Sequence, residues 1–180
     1  MHDLTERELY QALQYTKSID EEAGRKILQQ FQFDQTTLAQ TIFGVFPAVI
    51  AEQDQDMAHL FMDLCFDVIC VFEKAFGALP SQTDMDVNWL EKQAVLLDTE
   101  LQALMTDKHM DDKFRSKLQD RMIQREIEEN PQPGLIKFMN ASIDDFASES
   151  PARVNATRIT QTMIYVTVQL FCSLYTHASK

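Results

Sequence analysis

The sequence predicts an all-α protein, a single-domain bundle of six to eight helices in which two long helices are central and mostly buried. Three observations predict it. Four glycines in 180 residues fall well below the usual share of about 7%, leaving few of the residues that hairpin turns require. Apolar residues recur at three- and four-residue spacing, and no two convincing strands exist to pair with each other. The length fits one domain at roughly 150 residues per domain, and a 45% hydrophobic content supplies its core.

Each element has a local reason. Thr5 and Glu8 have the form of a capping box, and Leu9 and Leu13 carry the apolar stripe of a first helix that fades near Ile19. Asp20 caps a second helix running through Ala23, Ile27, Leu28, Phe31 and Phe33. Asp34, with Thr36 and Thr37, offers a third start, so three short helices fill the first 46 residues. Pro47 lacks an amide hydrogen and disfavours helix at Phe46, marking either a kink or the first turn of a long fourth helix that ends at Gly77-Ala78-Leu79-Pro80. Residues 48–77 would span about 45 Å. A fifth helix is expected from Asp84 or Asp86 to Thr106, through Trp89, Leu90, Leu96, Leu97, Leu101 and Leu104, and a sixth from Asp107 to Glu129.

Asn130-Pro131-Gln132-Pro133-Gly134 is the one strong breaker cluster, a place for a hinge at 130–134 within a domain spanning 1–180. It leads into a short helix carrying Leu135, Ile136, Phe138, Met139, Ile143 and Phe146. Ser150 before Pro151 reads as an N-cap with proline at the first helical position, opening a last helix that reaches Tyr175. Its β-branched run from Met163 to Val168 also suits a strand, but a strand here has nothing to pair with.

Two helices have more apolar surface than one neighbour can cover. At 100° per residue, the apolar positions from Met57 to Phe76 sweep about 240° of arc. From Ile159 to Ser179 there is no Asp, Glu, Lys or Arg, and Arg158, Thr162, Gln169, Ser173 and Thr176 gather on one narrow side. That stretch holds too many Thr, Gln, Ser and His for a membrane span, so it is expected inside a bundle or along a dimer seam, and a homodimer joined through the last helix or the Phe-rich fourth helix is expected.

Composition excludes several functions. A net charge of −12 opposes general nucleic-acid binding, which depends on cations displacing counterions. Gly24, Gly44, Gly77 and Gly134 are too scattered to wrap a phosphate, and neither His-Glu-x-x-His nor Gly-x-Ser-x-Gly occurs. A helix-turn-helix reading of Leu38-Ala39 and Gly44-Val45 fails because the spacing is one residue too long and Phe46 to Ala51 carries no base. Cys65, Cys70 and Cys172 form no Cys-x-x-Cys pair and read as reduced core residues. The N-terminus lacks the basic start and apolar run of a signal peptide, so a cytoplasmic protein is expected.

The negative charge is local. Residues 51–106 hold 11 acids and 2 bases, whereas 107–130 hold 7 and 6. On the fourth helix Glu52, Asp56, His59, Asp63, Asp67, Cys70 and Lys74 fall within about 80° of arc, a stripe with two readings. Glu52, Asp56, Asp63 and Asp67 would bind a protein partner of basic character. Alternatively, Asp56, His59, Asp63 and Asp67 would hold a divalent metal, as in a metal-dependent hydrolase or metal-binding bundle. Bundles with two metals need Glu-x-x-His on two helices, and Asp56-x-x-His59 is the nearest approach. Glu126-x-x-Glu129 has no later Glu-x-x-Asp to hold magnesium with it, and Asp107-x-His109-x-Asp111 is a short isolated pattern. Lys113, Lys117, Arg121 and Arg125 recur every fourth position beside Phe114, Leu118 and Met122, forming a ridge that could cover apolar surface or take an anionic ligand. The expected function is a non-enzymatic helical binding or regulatory module with an acidic interaction surface, with no cofactor.

Overall fold

The computed structural model describes residues 1–84 and 132–178, and these are helices joined by short turns, with no strand among them. The expected fifth and sixth helices lie outside the described residues. Helix α1 (Glu6–Ser18) begins at the capping box the sequence predicts: the Glu8 amide donates to Thr5 Oγ1 at 3.3 Å and the Thr5 amide to Glu8 Oε2 at 2.9 Å. It buries Leu9, Ala12, Leu13 and Thr16. Helix α2 (Glu21–Asp34) starts where Asp20 accepts from the Ala23 amide at 2.8 Å. Phe31 is fully buried, but Phe33 is 82% exposed, because two residues rotate it about 200° away from the core.

The third start is corrected. Helix α3 (Thr36–Gln40) is preceded by Gln35, which makes no cap bond of its own, while Asp34 accepts from Gln30 instead. The cap comes from a distant residue: Gln82, in a 3₁₀ turn (Gln82–Asp84), accepts from the Thr37 amide and donates to the Thr37 hydroxyl, both at 3.0 Å. Buried Gln35 donates to the Pro80 carbonyl and fixes the same junction.

The long fourth helix is also corrected. Pro47 cannot donate to the Phe43 carbonyl, and directly before it the chain widens into a π-helical turn (Thr41–Val45) in which the Phe46 amide bonds the Thr41 carbonyl. Helix α4 (Phe46–Ala51), with Pro47 in its first turn, then ends. The Gln53 and Asp54 amides both fold back onto the Ile50 carbonyl, at 2.9 and 3.0 Å, and Asp54 caps a new helix by accepting from the Met57 amide at 2.8 Å. That helix, α5 (Gln55–Phe76), is about 33 Å long and ends at Gly77, whose φ of 92° suits only glycine comfortably.

Gln132, the described part of the expected hinge before Pro133, is buried and tied down. Its Oε1 accepts from the Leu4 amide at 3.1 Å and its Nε2 donates to the His2 carbonyl at 2.8 Å. Helix α6 (Pro133–Ser148) then packs along helix α7 (Val154–Ala178). Ser150 has the extended backbone of an N-cap, but its hydroxyl makes no cap bond; Pro151 opens a 3₁₀ turn (Pro151–Arg153), and α7 begins after it. The β-branched run is helix. Thr157, Thr160 and Thr167 donate their hydroxyls to the carbonyls four residues back at 2.7–2.8 Å, satisfying polar groups that a bundle interior would otherwise strand.

Helices α5 and α7 are central, as expected. Phe31, Phe72, Phe171 and Tyr175 join them to α2, with ring centroids 5.2–5.8 Å apart, while α1 and α4 cover other sides of α5 and α6 covers α7. Their wide apolar arcs thus find cover from several helices of the same chain. No helix among the described residues is long and apolar enough to cross a membrane.

Candidate functional site

The break at residues 52–54 divides the predicted acidic stripe. Glu52 is exposed in the turn before α5 and no longer shares that helix's face. At the start of α5 the dominant group is a cation from elsewhere. The 3₁₀ turn between α6 and α7 carries Arg153 inward, where its guanidinium lies 4.0 Å above the Phe146 ring and its side chain is only 13% exposed. It donates to the Phe146 carbonyl at 2.9 Å, to Glu149 at 3.1 Å and to Asp54 Oδ2 at 3.3 Å, with Asp56 at 3.6 Å. Asp54 therefore uses one oxygen to cap α5 and the other to hold Arg153. Sequence reasoning missed this pair because a helix running continuously from residue 48 leaves no N-cap at 54. The polar run Gln53-Asp54-Gln55-Asp56 was the available signal.

Farther along, the stripe has a different character. His59 is exposed, with Nε2 3.4 Å from Gln55 Nε2. Asp63 is exposed and Asp67, one turn on, is half-buried beside α1. Burial pushes the Asp67 carboxyl up to about 6; the Asp63 charge adds to the rise, and Lys17 on α1 opposes it. Neither aspartate makes an ion pair among the described residues. Cys70, assigned by its wheel position to the polar side, is fully buried, and burial raises its thiol to about 12. Lys74 closes the stripe with its ammonium 5.0 Å over the Tyr15 ring. Burial also raises Glu73, and so does Asp34 on α2, a neighbour that no local pattern reveals.

The chemistry of this face follows from those placements. The Arg153 end is occupied by a ligand from the same chain. The Asp63–Asp67 end presents two carboxylates one turn apart, the inner one holding a proton more tightly than an ordinary aspartate. Among the described residues no three of His, Cys, Asp and Glu gather to hold a metal ion, so the structure does not bring Asp56, His59, Asp63 and Asp67 together as ligands. Cys65, Cys70 and Cys172 are free and buried, and burial raises all three thiols, which leaves them poor nucleophiles. The basic ridge of Lys113, Lys117, Arg121 and Arg125 lies outside the described residues, as do His109, Glu126 and Glu129.

No family model, curated protein or solved structure matches the chain. Its function is therefore argued from the face itself.

Proposed function

We propose that the chain is a cytoplasmic, non-enzymatic helical interaction module that docks a protein partner of basic character through Asp63 and Asp67. The observation carrying this reading is the pair itself: two carboxylates one turn apart on a central helix, without an ion pair among the described residues, the inner one pushed up to about 6 by burial and by its neighbour. A docked lysine or arginine would relieve that repulsion and favour the charged form of Asp67. Glu52 stands at the edge of the surface as an auxiliary charge. Asp56, already beside Arg153, is the least available of the four sequence-predicted contacts. The free thiols support a reducing compartment.

The test is a low-salt pull-down from cells with native protein, Asp63→Asn/Asp67→Asn and Asp56→Asn. The double variant is expected to lose bound partner at least tenfold, with the remainder released by added salt, while Asp56→Asn retains most of it. Equal recovery by native protein and the double variant would sink the proposal.

A further inference from the structure

We draw no further inference here: the strongest candidate, the seam of half-buried carboxylates that Asp67 and Glu73 form on α5 against Lys17 and Asp34, is an acidic cluster for which no second observation among the described residues points to a ligand.

Discussion

At the start of α5, Asp54 and Asp56 face a guanidinium fixed by an aromatic ring and a backbone carbonyl; two turns on, Asp63 and Asp67 make no ion pair among the described residues, and Lys17, at the end of another helix, opposes the charge of Asp67 from a distance. Both places concentrate acid on one helix. They differ in whether the compensating cation is built into the fold. Where it is, the acids do structural work, one carboxylate capping α5 while joining it to the α6–α7 turn. Where it is not, the acids carry an electrostatic cost that a partner can remove. A row of like residues on a helical wheel is thus two sites, separated by what the tertiary structure brings to each.

The contrast can be broken most forcefully at Arg153. Arg153→Ala removes the donor shared by Asp54, Glu149 and the Phe146 carbonyl and the cation beside Asp56, and should lower stability in urea unfolding more than any other variant named below. Arg153→Lys keeps the charge but not the planar fork and should recover less than half of that loss. Asp54→Ala removes both cap and ion pair, for an expected loss of about 2 kcal/mol, whereas Asp54→Asn retains the capping oxygen and should lose about 1 kcal/mol.

At the other end the sign reverses. The folded state raises Asp67 from 3.8 to about 6, so it binds a proton more tightly than the unfolded chain does. The stability contributed by that proton is present at low pH and is lost as pH rises from about 4 through about 6. Asp67→Asn should therefore stabilise the protein by about 1 kcal/mol at pH 7.5, after allowance for partial exposure, and lose that advantage by pH 4. Unfolding curves across this range check it, and a destabilised variant at pH 7.5 would remove the contrast between the two ends. The smallest expected effect is from Asp63→Asn: a downward shift of the Asp67 midpoint in carboxyl-resolved NMR titration, with stability changed by less than about 0.5 kcal/mol. Added salt should weaken the Arg153 end and relieve the Asp63–Asp67 end, so the two sets of variants should respond to ionic strength in opposite directions.

What the sequence revealed depended on how far each cause acts along the chain. Both N-caps, at Thr5 and Asp20, bond to amides three residues away, so residue spacing alone located the starts of α1 and α2. The α3 cap comes from Gln82, 45 positions after Thr37, and no local pattern could supply it. The break before α5 depends on two amides sharing the Ile50 carbonyl, and its local trace in the sequence is the polar run from Glu52 to Asp56, which a helical wheel reads as one face of a continuous helix. The central role of α5 and α7 was legible because a wide apolar arc demands cover from several sides. The wheel also placed Asp63 and Asp67 correctly on one side of a helix. It could not show that Asp67 is half-buried within reach of the Lys17 charge on α1, that Cys70 is buried, or that Arg153, nearly a hundred positions away, pairs with the first acids. Those facts arise from which helices meet, and periodicity within one helix carries no information about its neighbours.

The side chain of Gln132 gives the chain an order of completion. It fastens the backbone at His2 and Leu4 across separations of 130 and 128 residues, and a Cβ added at Gly134 would meet the Leu9 side chain at 3.5 Å. At about 5–20 residues per second, a ribosome that has made Leu4 needs roughly 6–25 seconds more to make Gln132. Throughout that interval residues 2–4 lack their anchor, and α1 can meet α5 but not the start of α6. Residues 2–4 are thus tied down long after they are made, and Leu9 depends on a late-arriving neighbour for part of its cover.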